Sequence, residues 1–109
     1  MQTEQIQDRF ERARQSIHAA MQALHATSAS TPELMQPLQE LEQGADATGS
    51  LIEQGTDEQG IAQAIDRLES AADRAVGACR LNEGEIDPRL RDAVQRAHDE
   101  LSQLKHSLH

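Results

Sequence analysis

Four histidines, each with a glutamine three positions earlier, are the residues of this sequence best suited to binding a metal ion. His18 and His25 lie near the start of the chain, and His98 and His106 lie near its end. Di-iron helical bundles bind metal through Glu-x-x-His units whose two side chains both face the core. Here Gln replaces the Glu, so the negatively charged oxygen ligand is missing. We therefore expect neither a metal site nor a cofactor.

The stretch 53–60, EQGTDEQG, is the second candidate, because it combines oxygen-bearing side chains with two glycines. A calcium-binding loop needs oxygen ligands at alternating positions and a bidentate acid at a fixed distance, and this stretch has no such spacing. Thr56 and Gln59 have the spacing of a helix N-terminal capping box, and Gly55 suits the end of a preceding helix. The pattern predicts a corner between two helices.

No residue set typical of an enzyme is present. The chain has no recognisable nucleophile with a base and an acid, and no glycine loop of the kind that binds phosphate. The single cysteine, Cys79, falls on an apolar helical pattern and is expected to be a buried, unreactive thiol. Thr48 is expected to donate to a carbonyl one helical turn earlier. We therefore predict that the protein is not an enzyme.

The distribution of charge is the feature with functional content. The 109 residues carry a formal net charge of −9, and no Lys or Arg lies between Arg14 and Arg67. That charge disfavours binding to nucleic acid and to anionic membranes, both of which need clustered basic residues. We predict a protein partner with a basic surface or segment, and the alternative is that the charge only maintains solubility. The candidate acidic face consists of Glu40, Glu42, Asp46, Glu53, Asp57 and Glu58.

Four segments share one apolar rhythm of alternating four- and three-residue steps, which fits helices and not strands. The positions are Ile6, Phe10, Ala13, Ile17, Ala20 and Leu24; Leu34, Leu38, Leu41, Ala45, Thr48 and Ile52; Ile61, Ile65, Leu68, Ala72, Ala75 and Cys79; and Leu90, Val94, Ala97, Leu101, Leu104 and Leu108. Met21, Met35, Leu51 and Val76 should widen the buried face. Short connections favour antiparallel neighbours. The sequence predicts one all-α domain, an antiparallel up-down-up-down four-helix bundle with helices at about 3–27, 32–54, 57–82 and 88–108.

The borders of these segments carry helix-capping signals. Thr31-Pro32 and Asp87-Pro88 each place a capping side chain before a proline, and Asn82–Gly84 should end the third helix with a left-handed residue. The second helix is the weak one, because Pro37 removes an amide donor and Gly44 and Gly49 have low helix propensity. We predict a kink or break near Pro37.

These patterns favour a non-enzymatic acidic bundle that acts through protein–protein interaction, as an adaptor, chaperone or regulator. The alternative is a bundle that binds a small ligand or a metal. A homodimer that completes the thin core is a further partner to consider. No apolar run has a membrane-spanning length and the N-terminus has no signal-peptide profile, so a cytoplasmic location is expected.

Overall fold

The computed structural model describes residues 3–26, 32–55, 57–82, 84 and 86–108. It contains four helices, α1 (Thr3–Ala26), α2 (Pro32–Glu53), α3 (Glu58–Leu81) and α4 (Pro88–Leu108), and no strand within those residues. In this part of the chain the backbone of each helix closely approaches those of its two neighbours and does not come as close to that of the helix diagonally opposite. The predicted all-α four-helix bundle is confirmed.

The apolar rhythm of the sequence becomes the core of the bundle. The residues at the predicted inward positions are buried, except for Leu108, which is partly buried against the others. Met21 is also buried and Leu51 and Val76 are half-buried, but Met35 is 37% exposed, so its predicted place in the buried face is wrong. Because the inward side chains are mostly Leu, Ile and Ala, the helices pack closely around a narrow core.

The corner between α2 and α3 forms as predicted, although a different residue caps it. Gly55 has a φ of 74° and donates its N–H to the carbonyl of Ile52 at 3.2 Å, which ends α2. The Asp57 carboxylate accepts a hydrogen bond from the backbone N–H of Gly60 at 3.0 Å and caps α3. The predicted cap at Thr56 is therefore wrong, because the N-cap of α3 is Asp57, one residue later. Thr56 itself lies outside the described residues.

The connection from α3 to α4 differs from the prediction. Asn82 has a φ of −119° and Gly84 has no positive φ, so neither is the left-handed residue expected at the end of α3, and Glu83 lies outside the described residues. The backbone and side-chain N–H groups of Asn82 both donate to the carbonyl of Ala78, at 3.2 and 2.9 Å, and satisfy that helix end without a left-handed turn. Asp87 caps α4 as predicted, accepting from the N–H of Arg89 at 2.8 Å. Thr31, the predicted cap of α2, lies outside the described residues.

Pro37 lies inside α2 and does not break it. The helix runs without interruption from Pro32 to Glu53, and Pro37 is buried together with Leu34 and Leu38. Pro37 removes one intrahelical hydrogen bond near the start of the helix, and burial of its ring against the core offsets that loss. The predicted break is therefore absent, while a change in the axis of α2 at Pro37 stays a prediction.

Two glycines give opposite predictions for the same substitution. Gly77 lies within α3 with no atom near the place a Cβ would occupy, so Gly77→Ala should raise the free energy of unfolding by about 0.5–1 kcal/mol. Gly55→Ala should lower it by about 1–2 kcal/mol, because alanine is strained at positive φ. Urea denaturation followed by far-ultraviolet circular dichroism measures both values. A shift of the same sign in the two variants would contradict the helix assignments.

Candidate interaction surface

The candidate acidic residues of α2 lie on two sides of that helix. Glu40 faces α3, where it accepts a hydrogen bond from Arg74. Asp46 faces α1, where it accepts a hydrogen bond from Arg14 at 2.8 Å. The structure therefore assigns Glu40 and Asp46 to different interhelical contacts.

Asp57 and Glu58 lie at the corner between α2 and α3. The carboxylate of Asp57 is the N-cap of α3, and Glu58 is in the first turn of that helix, where a negative charge complements the helix dipole. Both residues have a role in the local structure. Only the parts of their side chains that stay exposed to solvent can contact a partner.

The other acids meet at a groove between α1 and α2, which we name the α1–α2 groove. It consists of two adjoining depressions of about 400 and 320 Å³, both lined by Glu11 and Arg14. Its floor contains Phe10, Ile17, Ala45 and Ile52, each of which is at most 3% exposed, so the floor presents very little apolar side-chain surface. Its acidic residues are Asp8 and Glu11 from α1 and Glu42, Asp46 and Glu53 from α2.

The α1–α2 groove is strongly negative. Five carboxylates and one guanidinium line it, so its formal charge is −4 when His18 at one end is neutral. The side chains of the Arg14–Asp46 ion pair are 43% and 67% exposed. An ion pair so open to water contributes only about 0–1 kcal/mol to stability, and it can be exchanged for another cation at little cost.

Three of the six predicted acidic residues, Glu42, Asp46 and Glu53, are brought together in the α1–α2 groove. Asp8 and Glu11 were missed, because the prediction considered only the interval without basic residues. These two acids could have been found by aligning α1 and α2 as antiparallel helices. If Arg14 lies opposite Asp46, then Glu53 lies near residue 7 and Glu42 near residue 18. The same register brings Arg14, outside that interval in sequence, into the middle of the acidic surface.

A second polar arrangement, the α3–α4 ladder, connects three residues of each helix. The His98 imidazole donates to Asp73, and Ser102 and Lys105 donate to Glu69 at 2.8 and 2.9 Å. Lys105 Nζ also lies 3.8 Å from a carboxylate oxygen of Asp66. The sequence analysis made no prediction about these contacts. The ladder thus aligns three residues of α3 with three residues of α4.

The charges of the α3–α4 ladder shift two pKa values. Partial burial opposes ionisation of Glu69, but hydrogen bonds from Lys105 and Ser102 and the nearby positive charge lower its pKa below the usual range. The hydrogen bond to Glu69 and the charges of Glu69, Asp66 and Asp73 raise the pKa of Lys105. Both shifts favour the charged forms at neutral pH, so the pair stays ionised.

The histidines do not converge. His18, His25 and His106 are exposed and His98 is half-buried in the α3–α4 ladder. Within the described ranges, no group of three or more His, Cys, Asp or Glu side chains has the geometry to hold a metal ion. His109 lies outside those ranges.

The two polar residues within the apolar pattern are both buried. Cys79 is 5% exposed, and burial raises the pKa of its thiol although Arg91 opposes the shift. A protonated thiol in such a setting packs as a small hydrophobic group. Thr48 donates to the carbonyl of Gly44 at 2.7 Å, as predicted.

The chain was compared with protein families, curated proteins and solved structures. None of the three comparisons finds a match. Function must therefore be argued from the surface of the bundle. As to membranes, none of the helices in the described part of the chain is both long and apolar enough to cross one.

The α3–α4 ladder predicts a specific dependence of stability on pH. Because the pKa of Glu69 is lowered in the folded state, its contribution is present above the ordinary carboxyl value of about 4.3 and is lost as pH falls through the lowered value. Glu69→Gln should lower the free energy of unfolding at neutral pH by about 0.5–1 kcal/mol. Urea denaturation should show this difference shrinking as the pH falls from about 7 towards about 3, because the wild-type carboxyl becomes protonated.

Glu42→Gln is the matched control for that measurement, because Glu42 is an exposed glutamate in the α1–α2 groove. Its effect should be smaller at neutral pH. If the loss caused by Glu69→Gln is the same at both ends of the pH range, the ladder does not stabilise the ionised carboxylate.

Proposed function

We propose that the protein is a non-enzymatic binding module that recognises a basic segment of a protein partner through the α1–α2 groove. The observation that carries this proposal is the convergence of five carboxylates from two helices in one groove. Carboxylates on the rim attract and orient a Lys- or Arg-rich segment.

The packing of the helices supports the choice of this groove. α1 packs more extensively against α4 than against α2, and α2 packs more extensively against α3 than against α1. The α1–α2 contact is therefore the least extensive of the four between neighbouring helices.

The other functions considered have less support. For a homodimer, the exposed large hydrophobic residues of the described chain are Met35 and Leu81, the latter 84% exposed near the C-terminal end of α3. Two separate side chains supply little apolar area compared with that of a stable interface. Binding of a metal or small ligand in the bundle remains the alternative from another class, and elemental analysis of unchelated protein tests its metal form. A cytoplasmic location stays an expectation.

Neutralising the groove should weaken binding of a basic peptide. The probe is a fluorescein-labelled helical peptide of about 14 residues with Leu on one face and Lys or Arg on the other. Glu42→Gln/Glu53→Gln should raise its Kd by about three- to tenfold at low salt, as expected for two rim charges of about 0.3–0.7 kcal/mol each. Fluorescence anisotropy measures the Kd, and the effect should diminish as salt is added.

Asp92→Asn/Glu100→Gln is the matched control. It removes the same number of charges from α4, outside the α1–α2 groove, and should change the Kd by less than about twofold. The proposal fails if both double variants weaken binding equally, or if a peptide with Glu in place of Lys and Arg binds as tightly.

A further inference from the structure

His98, the histidine of the α3–α4 ladder, has a carboxylate beside each of its two ring nitrogens. Its Nε2 lies 2.5 Å from an oxygen of Asp73 on α3, and its Nδ1 lies 3.6 Å from an oxygen of Asp99 on α4. The Nδ1 atom is buried, and within the described residues it has no hydrogen-bond partner. The other three described histidines are exposed, so this setting belongs to His98 alone among them.

A neutral imidazole can satisfy only one of the two carboxylates. It carries a single N–H, so when Nε2 donates to Asp73, Nδ1 is an acceptor with a lone pair. That lone pair lies on the side of the ring nearer to Asp99, whose carboxylate oxygens are also acceptors. The neutral ring therefore leaves a buried nitrogen without a donor and places two acceptors near each other.

We propose that His98 is a pH-sensitive contact between α3 and α4, in which uptake of a second proton by the ring strengthens the attachment of the two helices. A protonated ring carries an N–H on both nitrogens, so Nε2 still donates to Asp73 and Nδ1 gains a hydrogen on the side of Asp99. Unfolding separates the ring from Asp73, because the two residues are 25 positions apart in the chain. The second proton therefore binds more favourably to the folded chain than to the unfolded one.

The charged groups around His98 come from the two helices of the ladder. On α3 they are Asp73 and Glu69, and the positive charge of His98 is one of the causes that lower the pKa of Glu69. On α4 they are Asp99 and Lys105, and the ammonium of Lys105 is itself engaged by Glu69 at 2.9 Å. Within the described residues, α1, the other neighbour of α4, places no charged group at ion-pair distance from His98. Three carboxylates against one ammonium favour a second positive charge at this place.

The direction of the pH dependence follows from these contacts. The stabilisation by the second proton is present at mildly acidic pH and is lost as the pH rises through the range in which an unperturbed histidine ring releases that proton, near about pH 6.5. The contribution of Glu69 has the opposite sign, because it is lost as the pH falls through the lowered pKa of that carboxyl. The α3–α4 ladder should therefore be most stable between about pH 4.5 and about pH 6.

Urea denaturation of the intact chain at about pH 8 and about pH 5.5 tests the proposal. From the higher to the lower pH, the ratio of folded to unfolded wild type should rise by about two- to fivefold relative to the ratio for His98→Gln. The amide of that variant can still donate to Asp73 but cannot gain a charge. The expected effect is modest because Asp73 and Asp99 are 61% and 59% exposed, and water screens such pairs.

His25→Gln is the matched control for the loss of a titrating ring. His25 is exposed on α1, outside the α3–α4 ladder. Its substitution removes the same chemical group, and the pH dependence of stability should stay within about twofold of wild type.

A double-mutant cycle with Asp73→Asn identifies the partner of the protonated ring. Asp73→Asn should remove most of the difference in pH dependence between wild type and His98→Gln, because it removes the carboxylate of α3 that attracts the imidazolium. Asp92→Asn, at an exposed position of α4 outside the ladder, should leave that difference unchanged.

Equal pH dependence in wild type and His98→Gln overturns the proposal. A difference that persists in full in the Asp73→Asn background also overturns it, because the contact between the helices is then not its origin. If circular dichroism shows that His98→Gln does not fold, wild type is compared with Asp73→Asn instead, and equal pH dependence of those two has the same meaning. The measurement needs no partner, so its outcome is independent of the proposed function.

Discussion

The fold depends on burying one narrow apolar stripe from each helix against the stripes of its two neighbours. The core has a single aromatic residue, Phe10, so its volume comes from Leu, Ile and Ala side chains that pack efficiently only when the helices lie close and nearly parallel. Gly44 illustrates how close this is, since a Cβ there would come within 2.7 Å of a methyl carbon of Leu68. The two glycines of α2 that lower its helix propensity thus have packing roles: Gly44 admits Leu68 and Gly49 admits Arg14.

Polar contacts at the borders of the stripes determine how neighbouring helices align. Each pair of neighbours has at least one: Arg9 with Ser107, Arg14 with Asp46, Glu40 with Arg74, and the α3–α4 ladder. Individually such exposed contacts add little stability. Together they favour one register over a shifted one, because a slip of one helical turn would separate all the partners while leaving apolar residues in contact. Apolar burial therefore selects the architecture and the polar borders select the alignment.

The sequence was sufficient for the architecture because helical periodicity depends on local spacing alone. The burial of residues such as Ala13, Leu41 and Leu101 follows from their steps along the chain. Details that depend on competition between adjacent groups were not predictable. Asp57 caps α3 in preference to Thr56, and Asn82 ends the same helix without a left-handed backbone, because several neighbouring side chains could serve each helix end. Pro37 stays helical because tertiary burial outweighs its local preference.

The candidate site was only half visible in the sequence. The interval without Lys or Arg identified Glu42, Asp46 and Glu53. Asp8, Glu11 and Arg14 join them only when α1 and α2 are aligned, and that alignment is a property of the tertiary structure. The α3–α4 ladder was missed for the same reason. Asp66, Glu69 and Asp73 gain their polar partners Lys105, Ser102 and His98 only when α3 and α4 are aligned.

The position of Phe10 has a consequence for spectroscopy. The chain has no Trp or Tyr, so apart from the imidazoles its one aromatic ring lies in the floor between α1 and α2. Ring currents from that benzene ring displace the NMR signals of the methyl groups beside it, and the protein has no other phenyl or indole to confuse the assignment. The molecule thus carries its own reporter at the place where its two least tightly packed helices meet.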